Sequence, residues 1–156
     1  METSKIEKKL SEMGLTLPSL PPSKGIYKSC LQVGNLLYVS GHVSVREDGS
    51  YITGKLGLDL EETQGQEAAR ACGLAMLVSL KKHLGNLDKI KRVVKILGMV
   101  NSTVDYTMHP LVINGCSSLF AQLLGEENGI GVRSAVGMGS LPNNVAVEVE
   151  AIFEMD

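Results

Sequence analysis

The closing stretch Val132–Phe153, VRSAVGMGSLPNNVAVEVEAIF, decides how the rest of the chain is read. Its last part alternates cleanly. Val147, Val149, Ala151 and Phe153 fall on one side, and Glu148, Glu150, Ile152 and Glu154 on the other. A period of two residues belongs to a β-strand with one face in a core and the other toward something polar. Residues 132–139 read as a strand as well, with Arg133 set among small and apolar neighbours. Leu141-Pro142-Asn143-Asn144 supplies a turn between them, so the stretch predicts a closing hairpin.

Working outward, residues 111–125 predict a helix that follows Pro110 and ends before Gly129 and Gly131. Val93–Val100 is almost continuously apolar and predicts a strand buried on both faces. Residues 60–84 predict the longest helix, with Ala68, Ala69, Cys72, Ala75, Met76, Leu80 and Leu84 as its apolar face. Its start reads as Asp59 or Thr63, and Gly85 reads as its C-cap. Near the other end, Tyr27–Val33 and Leu36–Ser40 predict a hairpin around Gly34-Asn35. Turns fill residues 41–58, around a short strand at Tyr51–Ile52. Residues 4–13 predict a short helix whose apolar stripe is Ile6, Leu10 and Met13, with Ser4 and Glu7 at capping-box spacing and Gly14 as a stop. Residues 1–24 are thus helix and connector, and 25–156 the core of one domain.

The element order is hairpin, helix, strand, helix, hairpin. Two helices cannot cover both faces of such a sheet, so the expected class is α+β with both main helices on one face. The other face, carrying Glu148 and Glu150, must meet water or a partner that satisfies those charges.

Composition narrows the function. A chain of 156 residues with net charge −2, 4% aromatic residues and no Trp lacks both the positive field and the stacking rings of nucleic-acid binders. No apolar run reaches the roughly 18–20 residues of a membrane span, and the charged N-terminus does not read as a secretory signal or transit peptide. Cys30, Cys72 and Cys116 form no CxxC pair or Cys/His cluster, so neither a disulfide framework nor a metal site is expected, and the cytoplasm is the expected compartment. GxSxG, Walker A and GxGxxG patterns are missing.

Individual residues leave alternatives open. His83 sits with Lys81 and Lys82 near a helix C-terminus, where it complements the dipole. His42 follows Ser40-Gly41 at a strand end and reads either as a ligand contact or as a solvated turn residue. No two of His42, His83 and His109 have helical metal-ligand spacing. Gly137-Met138-Gly139, in a strand, predicts a bulge or a close backbone approach. Arg133 needs an anion: Glu148 or Glu150 as a structural partner, or a substrate carboxylate held bidentately.

Taken in order, these blocks resemble the Rid (RidA/YjgF) family of reactive-imine deaminases, many of whose members carry the label endoribonuclease L-PSP. The similarity lies in VRSAVGMGSLPNNVAVEVEAIF, in GIYKSCLQVGNLLYVSG and in VINGCSSLF, and covers most of residues 25–154. The N-terminal helix and the middle loop resemble a longer subgroup. The resemblance implies a chorismate-mutase-like fold, a cytoplasmic homotrimer with clefts between subunits, no cofactor and no metal. It implies hydrolysis of enamine/imine intermediates of the 2-aminoacrylate type to 2-keto acids and ammonia. The alternatives are a non-catalytic trimer that binds small carboxylates or metabolites and, lower still, an endoribonuclease. It assigns Arg133 to the substrate carboxylate and Glu148 to water. Tyr27, Ser40, Gly41, His42, Asn114 and Ala135 are implied in substrate binding. Two residues depart from the pattern: Ala135 stands where Cys is frequent, and His42 where Gln is frequent.

Overall fold

The computed structural model describes residues 3–156. Helix α1, Lys5–Glu12, is short and is fixed at both levels the sequence predicts. Glu7 N–H donates to Ser4 Oγ at 3.0 Å, and Ser4 N–H donates to Glu7 Oε2 at 3.4 Å, the reciprocal capping box. Ile6 and Leu10 enter the core. Asp88 accepts the N–H groups of Lys5 and Ile6 at 2.9 and 3.2 Å, which docks the helix start on the body of the protein. Ser4→Ala is expected to cost about 1 kcal/mol of unfolding free energy, read as a lower urea midpoint at unchanged slope.

Strands β1, Cys30–Val33, and β2, Leu36–Val43, form the expected hairpin, with Gly34 at φ 61° in its turn. Residues 27–29 stay outside the strand. The segment around Tyr51 contributes only isolated bridges, Val45 to Tyr51 and Thr53 to Val145. Helix α2 runs Glu62–Leu84, capped by Glu61 with Gln64 rather than by Asp59 or Thr63, and ends at Gly85. Strand β3 is Ile90–Asn101, helix α3 His109–Leu124, strand β4 Val132–Met138 and strand β5 Val147–Met155.

These make one five-stranded sheet in the order β1-β2-β5-β3-β4. Helices α2 and α3 pack against each other on one face, as expected for the α+β class. The closing hairpin is corrected: β4 and β5 do not pair. β4 runs parallel to β3, which requires a crossover, and α3 is that crossover. β5 then enters antiparallel between β2 and β3.

The core lies between this sheet and the helices. Leu37 and Val39 of β2, Ile96 and Val100 of β3, and Val147, Val149 and Phe153 of β5 point into it. β3 is not buried on both faces as its apolar run suggests. Leu97 and Met99 are only partly covered, because they point away from the helices. Leu31, Val33, Tyr38, Val132 and Val136 share that open side and are exposed. Among the described residues no helix is long and apolar enough to cross a membrane, and no cluster of His, Cys, Asp and Glu is placed to hold a metal. The three cysteines are free, and burial pushes Cys30 up to about 11 and Cys116 up to about 12.

Candidate functional site

The sheet divides the candidate residues into two groups. Tyr27, Ser40, Gly41 and Glu148 belong to the open face. Arg133, Ala135 and Asn114 belong to the helix side, at the outer edge of the sheet.

On the open face, a cavity of about 560 Å³ is lined by Tyr27, Tyr38, Ser40, Lys95 and Glu150 over an apolar floor. Ser40 fixes the strap that carries Tyr27. Its hydroxyl donates to Lys28 O at 2.6 Å, and its N–H donates to Ser29 O at 2.9 Å. Next to it, two residues of β2, Ser40 and Gly41, stand opposite one of β5, Glu150: Val39 pairs with Ala151, and His42 pairs with Val149. The extra residue is a β-bulge, which turns both Ser40 and Gly41 toward the open side. Glu148 lies directly over Gly41. Any Cβ at position 41 would collide with Glu148 Oε2, so only glycine leaves the carboxylate its place. Glu148 is half-buried there. Desolvation, and secondarily the charge of Glu150, raise its carboxyl above the ordinary value.

At the sheet's edge, Arg133 leans onto α3. Its Nη1 donates to Ser117 Oγ at 3.0 Å and its Nη2 to Pro110 O at 3.1 Å. Pro110, Asn114 and Ser117 recur at i, i+4 and i+7, so Asn114 shares the helix face that holds the guanidinium. Ala135 lies on the same face of β4 as Arg133 and packs against the core. Among the described residues two of the five guanidinium N–H groups find a partner, which leaves three for an anion. The expected ion pair with Glu148 or Glu150 is corrected. Among the described residues no carboxylate lies within salt-bridge distance of Arg133. Arg133 registers with Ile96, on the helix side, whereas Glu148 registers with Met99, on the other. As the edge strand, β4 also keeps one row of backbone groups without a partner in the sheet.

His42 sits apart from both groups. Strict alternation from Tyr38 and Ser40 would put it on the open face, and the bulge reverses that. Its ring is buried on the helix side, hydrogen-bonded to Ser40 O and to Ser79 Oγ. The ring thus faces away from the open cavity and meets the bulge from beneath. Gly137 meets the expectation of close approach, since a Cβ there would come within 2.5 Å of His109 Nε2.

Sequence reasoning missed Ser117, the hydroxyl that anchors Arg133, and also Tyr38 and Lys95 in the open cavity, while alternation had already placed Glu150 on that face. Tyr38 was findable in the same way, as it is in phase with Ser40 on its strand. Ser117 carried no such signal, because its role depends on how α3 lies over β4.

The family model described as "YjgF/chorismate mutase-like, putative endoribonuclease" matches residues 7–152. Protein TCP17 of Trypanosoma cruzi is 39% identical over 154 residues, 99% of this chain and 96% of that protein. The crystal structure of the protein Atu1372 from Agrobacterium tumefaciens is 43% identical, covering 97% of this chain and 94% of that one, with a TM-score of 0.88. A Shewanella oneidensis protein, its structure described in the same words as an endoribonuclease of that kind, is 28% identical with a TM-score of 0.90, over 99% of this chain and 100% of its own.

Proposed function

The chain belongs to the YjgF/chorismate mutase-like family, and we propose that it hydrolyses small enamine/imine intermediates of 2-amino acids to 2-keto acids and ammonia, in clefts completed by neighbouring copies of a homotrimer. The observation that carries this reading is the division of the candidate residues. An arginine with three free donors stands at one edge of the sheet, and a half-buried carboxyl stands on its open face. Neither half suffices, and the two are complementary. The exposed apolar side chains of the open face support an interface there.

The chemistry follows from what each group offers. Arg133 holds the substrate carboxylate with paired N–H donors, and Asn114 and the backbone at Ala135 flank it. The held imine then needs no orientation at the moment of reaction. Glu148 of the adjoining copy faces the C2 carbon across the cleft, beside Tyr27, Ser40 and Gly41. A carboxyl raised above the ordinary range exchanges a proton more readily near neutral pH. Water adds to C2 as a proton passes to the imine nitrogen. The carbinolamine loses its hydroxyl proton, the C–N bond breaks, and ammonia leaves. The products are the 2-keto acid and ammonia, with no redox change.

The test generates 2-aminoacrylate with a PLP-dependent dehydratase and follows keto-acid release. Acceleration by the purified protein is the expected result, and no acceleration across several imines would contradict the assignment. A second reading is a carboxylate-binding regulatory trimer. It draws on Ala135, which has no thiol where the family often has one. Calorimetric binding of small carboxylates without turnover of any imine would favour it.

A further inference from the structure

The imidazole of His42 is a buried, doubly hydrogen-bonded polar group in the core. It is 8% exposed, lies under the sheet, and bonds at both nitrogens: Nδ1 to Ser40 O at 2.6 Å and Nε2 to Ser79 Oγ of α2 at 2.7 Å. A carbonyl oxygen only accepts, so Nδ1 carries the proton. In the neutral ring Nε2 then accepts from the Ser79 hydroxyl. The two bonds fix one tautomer and one ring orientation. They also tie the bulged backbone of β2 to α2 from the side opposite the open cavity.

What hangs on that bulge is the arrangement of the open face. The extra residue between Val39 and His42 is what presents Ser40 and Gly41 there. Ser40 N–H and hydroxyl hold the strap ahead of β1, and the bare Cα of Gly41 is the seat of the Glu148 carboxylate. Without His42 the Ser40 carbonyl loses the donor that meets it from beneath, and the bulged register loses its tie to α2. An unbulged β2 would swing position 41 out from under Glu148.

We propose that His42 is a positioning residue: through Ser40 O and Ser79 it holds the Ser40-Gly41 bulge, and thereby the seat of Glu148. The inference rests on the assignment of Glu148 to water activation.

The test compares His42→Phe, which keeps the ring and loses both bonds, with His42→Gln, which restores a donor and an acceptor. Ser79→Ala removes the outer bond alone. Each is checked for folding by circular dichroism and for assembly by mass. The decisive readout is the Glu148 carboxyl titration, followed by NMR or infrared difference spectroscopy. In wild type that carboxyl titrates above its ordinary value because it is desolvated on its seat. In His42→Phe it is expected to move back toward the ordinary value, and in His42→Gln to stay raised. The matching kinetic result is a loss of about 100-fold in kcat for His42→Phe with KM little changed, substantially recovered by His42→Gln. If a folded His42→Phe leaves the Glu148 titration where it is in wild type, the positioning role is overturned. Should His42→Phe not fold, Ser79→Ala decides by the same titration: a Glu148 carboxyl moved toward its ordinary value supports the positioning role, and one left where it is in wild type overturns it. A fully active Glu148→Gln variant would instead remove the water-activation assignment, a failure the titration distinguishes from that of His42.

Discussion

Arg133→Ala is expected to lower kcat/KM for 2-aminoacrylate by about 10²–10³-fold, with circular dichroism and oligomer mass unchanged. Truncating one partner of a hydrogen-bonded charge pair costs roughly 2–5 kcal/mol, and each 1.4 kcal/mol is tenfold. The middle of that range applies, because the guanidinium is partly open to solvent at the sheet's edge. Folding should suffer little. The variant loses only the bonds to Ser117 Oγ and Pro110 O, a net loss of about 1 kcal/mol each. Arg133→Lys should recover little of the activity. An ammonium keeps the charge but cannot span Ser117, Pro110 and a carboxylate with one planar group. Steady-state kinetics with the coupled dehydratase assay checks both variants. Near-wild-type kcat/KM in Arg133→Ala would remove the clamp.

Glu148→Gln separates activity from stability. Loss of a positioned general acid–base group is expected to cost about 10²–10⁴-fold in kcat. Stability should move the other way. Glu148 has a folded-state pKa raised above its unfolded value, so the folded state binds its proton more tightly. The stability this contributes is fully present below the ordinary carboxyl value of 4.5, and it is lost as pH rises through the raised folded value. At neutral pH the wild type therefore carries a desolvated charge that glutamine lacks. Glu148→Gln should melt at higher temperature than wild type at pH 7–8, and the difference should shrink as pH falls below the unfolded value. His42 titrates in the opposite sense. Burial lowers its pKa from 6.5, so its contribution is complete above 6.5 and is lost as pH falls through the lowered folded value. The two profiles are thus separable by melting wild type and Glu148→Gln across the same pH series.

Much of this was legible in the chain, for local reasons. Alternation through Val147–Phe153, the capping box at Ser4 and Glu7, and the Gly34-Asn35 turn each depend on a few neighbouring residues. What the chain hid is non-local or depends on a phase change. Leu141–Asn144 does turn, with Asn143 and Asn144 in the left-handed region, but a turn does not say which strands pair across it. β3 takes the place beside β5 because α3 carries β4 across to its far side. One extra residue at Ser40-Gly41 re-phases β2, so His42 points into the core although simple alternation puts it outside. Arg133 looked like half of an ion pair because carboxylates follow it closely in sequence. The sheet places those carboxylates two strands away, on the opposite face.

That separation makes subunit complementation the most direct test of a cleft shared between copies. Arg133→Ala and Glu148→Gln protomers, each inactive alone, are unfolded together in equal amounts, refolded, and shown by mass to mix. Random assembly of a closed ring gives roughly a quarter of the clefts both an intact Arg133 and an intact Glu148. Imine hydrolysis should return to about that fraction of the wild-type rate. Mixed oligomers with no recovered activity would contradict a cleft that draws these two residues from different copies.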